Sequence, residues 1–288
     1  MRPYTTSGWT TLIDAASLAS QLDEVTLFDC RSELGNPHWG EAEYAKSHLP
    51  GAQFLHLDRD LSSPIVPGSG RHPLPDPGVL ARRLGELGAG NDRQVVAYDQ
   101  GNGAYAARLW WLLRWIGHRK VAVLDGGFAG WQAAGLPLES VRRAAPVPRQ
   151  LDASPDANAW VDSGAVEELR QRPGYLLVDA RGAERFAGRN ETIDPVAGHV
   201  PGARSAPFTG NLASDGRFLP PAALRRRWET LLGSQPPAAL IAMCGSGVTA
   251  CHNLLALEHA GLAGGRLYAG SWSEWIRDPR RPIATGSY

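Results

Sequence analysis

The chain has 288 residues, 43% hydrophobic and 20% charged, which is enough apolar content for a sizeable core and too much for a disordered chain. Lys plus Arg total 29 and Asp plus Glu 29, a formal net charge of zero, which argues against bulk attraction to nucleic acid or an anionic membrane. No apolar run approaches a membrane span, residues 1–10 lack the apolar centre of a signal peptide, and three cysteines make no disulfide framework, so a reduced, cytoplasmic protein is expected.

In chain order, Asp14 is placed to cap a helix running to about Gln21, and residues 25–28 read as a strand. Residues 62–77 form a long Pro/Gly-rich loop, a kind that is often functional or mobile. Residues 77–87 have helical periodicity, 95–98 read as a strand, 105–116 as a helix rich in Trp and Leu, and 121–124 as a strand. Residues 141–159, with Pro146, Pro148 and Pro155, read as an extended linker. The same alternation follows: helix 163–171, strand 175–178, helix 221–232, strand 239–243 and helix 248–260, closed by Gly261. Such alternation predicts an α/β protein of mainly parallel sheets with helices on both faces.

Four blocks recur in the same order. Asp29-Cys30-Arg31 matches Asp179-Ala180-Arg181, and His48-Leu49-Pro50-Gly51-Ala52 matches His199-Val200-Pro201-Gly202-Ala203. Val95-Val96-Ala97-Tyr98-Asp99 matches Leu240-Ile241-Ala242-Met243-Cys244, and Gly126-Gly127-Phe128-Ala129-Gly130-Trp131 matches Gly270-Ser271-Trp272-Ser273-Glu274-Trp275 within longer blocks. The chain is therefore read as two copies of one domain, residues 1–140 and 160–288, joined by the linker.

Cys244 sits where a buried strand turns into a helix, followed by Gly245, Ser246, Gly247, Val248 and Thr249. Two glycines let the loop curl, and its N–H groups with the helix N-terminus favour a thiolate, the nucleophilic form. The alternative is a structural cysteine buried at a strand end; the first copy carries Asp99 at the same place, so if the catalytic atom is sulfur only the second copy can be active, and Asp99 is read as a cap for the following helix. Cys244 and Cys251 should lie about 10 Å apart, too far for a disulfide. No spaced Cys/His set suggests a metal. A cysteine phosphatase would need an arginine six residues after the cysteine, and position 250 is alanine.

These blocks make the chain resemble the tandem-domain rhodanese family of sulfurtransferases, over nearly its whole length. The resemblance implies two rhodanese-like domains and a two-step reaction. Cys244 takes a sulfane sulfur from a small-molecule donor as a persulfide, then yields it to a thiol, cyanide or a thioredoxin-like protein. Members preferring thiosulfate usually have Arg and Lys after the cysteine, whereas those preferring 3-mercaptopyruvate usually have Cys-Gly-Ser/Thr-Gly-Val-Thr, as here. The resemblance thus implies Cys244 and Ser246 as catalytic, with the loop residues Gly245, Gly247, Val248 and Thr249 and the carboxylate-binding Arg185 around the substrate. Arg181 is the rival to Arg185, but its counterpart Arg31 in the other copy favours a structural ion pair. A family proposal routes protons from a loop serine through a histidine in a block like that of His48. Because His199 repeats it, His48 is read as tying down its turn, and His72 in the long loop is a candidate to face the cleft. Thiosulfate as donor, or a non-catalytic binding module, are the alternatives. No cofactor, metal, nucleic acid or membrane partner is called for, and a monomer is expected.

Overall fold

The computed structural model describes residues 8–141 and 146–286. Residues 142–145 of the expected linker, and residues 1–7 of the segment read as lacking a signal-peptide centre, lie outside them.

The first half alternates β1 (Leu12–Ile13), α1 (Ala15–Ala19), β2 (Val25–Asp29), α2 (Trp39–Lys46), β3 (Gln53–Phe54), α3 (Pro77–Glu86), β4 (Gln94–Tyr98), α4 (Ala106–Trp115), β5 (Val121–Leu124) and α5 (Gly127–Ala133). The second half repeats the pattern with β6 (Trp160–Val161), α6 (Ser163–Leu169), β7 (Leu176–Asp179), α7 (Ala183–Phe186), β8 (Arg204–Ser205), α8 (Pro221–Leu232), β9 (Leu240–Met243), α9 (Thr249–His259), β10 (Arg266–Tyr268) and α10 (Ser271–Trp275). Each half holds a five-stranded parallel sheet, in the orders β1-β5-β4-β2-β3 and β6-β10-β9-β7-β8, so the duplication extends to topology. The inner strands β2, β5, β7 and β9 are buried along their whole length, as a parallel sheet covered on both faces requires. Asp14 caps α1 as expected, accepting the Ser17 N–H at 2.9 Å. The edge strands β1, β3, β6 and β8 have two residues each, too few to leave a period in the sequence.

Residues 146–159 run extended along the first half without hanging free. The Arg149 and Ser154 N–H groups donate to the carbonyls of Gly85 (2.9 Å) and Ile116 (2.9 Å). Among the described residues no helix is long and apolar enough to cross a membrane.

One hydrophobic core runs through both halves, with Trp110, Leu112 and Leu113 of α4 in the same cluster as Leu254, Leu255 and Leu257 of α9. A separate cluster fills the outer face of each sheet. The two halves therefore share their main core. Polar contacts cross it too: Thr11 Oγ1 meets His259 Nδ1 at 2.9 Å, and Arg114 pairs with Glu258.

The most deeply placed of these crossings is His252 of α9. Its Nε2 lies 3.0 Å from the Asn102 carbonyl, an acceptor only, so Nε2 carries the proton. Its Nδ1 then accepts from Asn211 Nδ2 at 3.2 Å, and its ring stacks on Phe218 at 4.4 Å. Burial pushes the imidazole down to about 3, so the folded protein keeps it neutral. The unfolded chain, with histidine near 6.5, binds a proton that the folded chain refuses, so stability falls as pH drops below about 6.5 and keeps falling toward 3. Between pH 7 and pH 5 this one group is expected to cost about 2 kcal/mol. Melting temperature against pH checks it: the acid slope should be distinctly shallower in His252→Gln than in the unsubstituted chain.

Candidate active site

Cys244 follows β9 at the carboxyl end of the sheet, where parallel α/β sheets open their crevices. The loop is laced to the start of α10. The Cys244 N–H donates to Ser271 Oγ (3.0 Å), and the Cys244 and Gly245 carbonyls accept from the Trp272 (3.0 Å) and Ser273 (2.8 Å) N–H groups. Ser271 is held at φ +52°, the one left-handed non-glycine among the described residues, and its hydroxyl passes its own proton to the Tyr268 carbonyl at 2.9 Å. Gly247 turns at φ +79°, and a Cβ there would overlap the Ala269 carbonyl oxygen, so the loop needs glycine for both conformation and space. That turn aims the Gly247 N–H at Cys244 Sγ, 3.2 Å away, in a site where the cysteine is 2% exposed. Val248 is buried at the N-cap of α9, and Thr249 begins the helix, its hydroxyl making no hydrogen bond among the described residues.

The other two thiols do not compete. Cys251 donates its S–H to the Gly247 carbonyl at 3.3 Å, and burial pushes it up to about 12. Burial likewise holds Cys30 well above the ordinary thiol range.

The first half supplies what surrounds the sulfur. Ser246 Oγ lies 2.7 Å from His72 Nδ1, and His72 Nε2 lies 3.2 Å from Asp58 Oδ1. A carboxylate only accepts, so Nε2 holds the proton and Nδ1 accepts from the serine hydroxyl. Burial, with Arg108 and Arg71 nearby, pushes His72 below the usual histidine range despite the opposing pull of Asp58. The histidine facing the loop serine is therefore His72, and the block containing His48 is not involved. His48 Nδ1 bonds the Tyr44 carbonyl (2.7 Å) and its ring stacks on Tyr44. His199 does the same with Phe186 (2.8 Å), so both histidines hold their own turns.

Arg108 of α4 is fully buried beneath the loop. Its Nη1 donates to the Gly247 carbonyl (3.2 Å) and its Nη2 to the His72 carbonyl (3.1 Å), while its Nε has no partner. It thus ties the Cys244 loop to the 62–77 loop. Nothing in the local sequence marks it, since an arginine in an amphipathic helix ordinarily faces solvent.

Two arginines flank Gly245. A Cβ on that glycine would lie 2.9 Å from Arg71 Nη2 and 3.6 Å from Arg185 Nη2, which places both guanidiniums beside Cys244. Arg185, on α7, bonds Glu191 through Nε (3.0 Å) and Asp194 through Nη2 (3.0 Å), and Arg71 pairs with the other oxygen of Asp194. Arg71 carries no signal in the sequence beyond its place in the 62–77 loop. Arg189 bonds Glu184 at the surface. Arg181 forms the expected structural pair, forked onto Asp179 at 2.7–3.1 Å and bonded to the Gly198 carbonyl (2.8 Å). Its copy Arg31 does the same with Asp29 and the Ser47 carbonyl.

Asp99 shows how the equivalent loop of the first half uses its N–H groups. Oδ1 accepts from the Gly101 (3.0 Å) and Gly103 (3.0 Å) N–H groups, and Oδ2 from Tyr105 (2.8 Å) and Ala106 (3.1 Å), at the start of α4. The capping role expected of it is met, and the cradle in the first half is filled by its own carboxylate.

The rhodanese-like domain model matches residues 14–134 and again 163–278. The chain belongs to the rhodanese-like domain family. A Pseudomonas aeruginosa protein named "Probable 3-mercaptopyruvate sulfurtransferase" is 54% identical over 282 residues, covering 96% of this chain and 98% of that protein. The thiosulfate sulfurtransferase of Cricetulus griseus is 38% identical, over 85% of this chain and 83% of its own. Among solved structures, the 3-mercaptopyruvate sulfurtransferase from Leishmania major superposes with a TM-score of 0.82 at 32% identity, covering 97% of this chain and 77% of that one.

Within this rhodanese-like domain, the two loop glycines should respond differently to a methyl group. Gly247→Ala meets backbone and a left-handed φ, and should lower unfolding free energy by about 1–3 kcal/mol or more. Gly245→Ala meets only the guanidinium ends of Arg71 and Arg185 and should fold with little loss. Chemical denaturation of the two variants checks the contrast.

Proposed function

We propose that the chain is a sulfurtransferase that draws sulfur from 3-mercaptopyruvate, carries it as a persulfide on Cys244, and passes it to a thiol, cyanide or a thioredoxin-like protein. The observation that carries this reading is the placement of Arg71 and Arg185 against a catalytic loop whose own residues, Gly245, Ser246 and Gly247, bear no charge. Two guanidiniums from opposite halves can grip one carboxylate, and the neutral loop suits a donor with no second negative charge. The relative at 54% identity is named "Probable 3-mercaptopyruvate sulfurtransferase", which supports this donor, while the Cricetulus griseus relative at 38% is named for thiosulfate.

The chemistry follows from the groups present. The Cys244 thiolate attacks the donor sulfur, the S–S bond forms, and the carbon–sulfur bond breaks. The electron pair leaves on carbon as the pyruvate enolate, which takes the proton lost by the donor thiol and becomes pyruvate. Ser246, with its own proton directed to His72 Nδ1, keeps an oxygen lone pair free to receive that thiol proton, and Asp58 steadies the imidazolium that would result. Loop N–H groups, of which Gly247 already meets Sγ, support the persulfide anion. The acceptor thiol then attacks the outer sulfur and Cys244 returns as the thiolate. The three unpaired, buried cysteines suit work in a reducing compartment such as the cytoplasm.

Incubation with donor followed by intact-mass measurement should show one added sulfur atom, mapped to the peptide containing Cys244. Cys244→Ser should show none and no turnover, whereas Cys30→Ser and Cys251→Ser should still load. Turnover by Cys244→Ser would overturn the mechanism. In steady-state assays, kcat/KM should be higher for 3-mercaptopyruvate than for thiosulfate by about 10-fold or more, equivalent to about 1.4 kcal/mol. Arg185→Lys, which keeps the charge and loses the fork, should weaken mercaptopyruvate use. Faster turnover of thiosulfate by the unsubstituted chain would put that donor in its place.

A further inference from the structure

Two guanidiniums side by side repel, and an anion between them relieves it. Here the anion is built in. The Asp194 side chain is 1% exposed, with one oxygen on Arg71 of the first half and the other 3.0 Å from Arg185 Nη2 of the second. Its backbone N–H is tied to Glu191 Oε1 at 3.0 Å, so the carboxylate is delivered by a fixed turn. Burial alone would raise Glu191, but the Asp194 N–H and Arg185 outweigh it and hold that carboxyl below the usual range. The cluster beside Cys244 thus sets three cations, Arg71, Arg181 and Arg185, against three anions, Asp179, Glu191 and Asp194. The Asp179–Arg181 pair has its copy in Asp29–Arg31 and belongs to the architecture. The Arg71–Asp194–Arg185 bridge joins the halves at the mouth of the catalytic loop.

We infer that Asp194 is a specificity-determining residue: it holds Arg71 and Arg185 together as one grip and lowers the positive charge they present, so the site takes a monoanionic donor and penalises a dianionic one. The inference rests on the sulfurtransferase reading above and deepens it. A donor with one carboxylate can be held by the guanidinium N–H groups that Asp194 leaves over. A compact dianion would bring a second charge toward the Asp194 carboxylate, and Gly245, Ser246 and Gly247 offer no cation to offset it.

The test uses the full chain with Asp194→Asn and Asp194→Glu. Two readouts are taken: kcat/KM for 3-mercaptopyruvate and for thiosulfate, and protection of Cys244 from iodoacetamide, a neutral reagent, by pyruvate (one charge) and by sulfate (two). Asp194→Asn should raise the thiosulfate-to-mercaptopyruvate ratio of kcat/KM by about 10-fold and tighten protection by sulfate more than by pyruvate. Asp194→Glu, which keeps the charge, should leave the ratio near its original value. If both donors fall by the same factor in Asp194→Asn, Asp194 is only a structural tie and the inference is overturned. It is equally overturned if Asp194→Glu shifts the ratio as Asp194→Asn does. Should Asp194→Asn fail to fold, Arg71→Gln reads the same charge in the opposite direction: the ratio should drop, and an unchanged ratio overturns the inference. If the unsubstituted chain takes sulfur from neither donor, the sulfurtransferase reading fails by itself. The protection assay still decides the charge inference, since equal changes for sulfate and pyruvate overturn it.

Discussion

A fully buried arginine with no carboxylate beside it is costly, and the protein around Arg108 is arranged to meet that cost with backbone oxygen. The carbonyls of Gly247 and His72 must both turn toward it. One belongs to the loop that carries Cys244, the other to the long loop of the opposite half. Fixing these two carbonyls constrains the spacing between Cys244, Ser246 and His72, because each lies within three residues of one of them. Arg108 also stands on α4, which is buried against α9, so the charge cannot withdraw without opening the shared core.

The duplicated motifs and the chemistry turn out to be different sets of residues. In each half an aspartate at a strand end forks onto an arginine. That arginine donates to a carbonyl just before the His-x-Pro-Gly-Ala block and lies over an aromatic ring, Phe128 at 4.2 Å or Trp272 at 4.9 Å. The histidine after that carbonyl stacks on its own neighbour. These blocks recur because they build the same corner twice. Cys244, Ser246, Arg71, His72, Asp58 and Asp194 fall outside the matched pattern or break it, and these are the residues that surround the sulfur.

This division explains what could be read from the chain alone. The parallel sheets, the inner strands and the helices α3, α4, α8 and α9 announce themselves because each buries a continuous or periodic apolar surface. Cys244 stands out because a repeat with one odd member points at that member. Asp99 was correctly read as a cap, and Arg181 as structural, since each follows from local rules. His72 could only be noted as lying in a long loop, and Arg71 beside it gives no signal of its own. Their positions depend on how that loop crosses to the other half, where the Arg71 N–H meets Ser273 Oγ at 3.0 Å. Asp58, Arg108 and Asp194 carry no local signature at all, because their partners lie tens or more than a hundred positions away or depend on a turn that composition does not reveal.

The bridge through Asp194 gives the angle between the halves a meaning of its own. Arg71 travels with the first half, while Arg185 and Cys244 travel with the second. A small tilt would therefore change the aperture of the grip and, because His72 travels with Arg71, the reach from His72 to Ser246 as well. The anion grip and the serine–histidine contact are therefore mechanically coupled, and the shared core holds both in one setting.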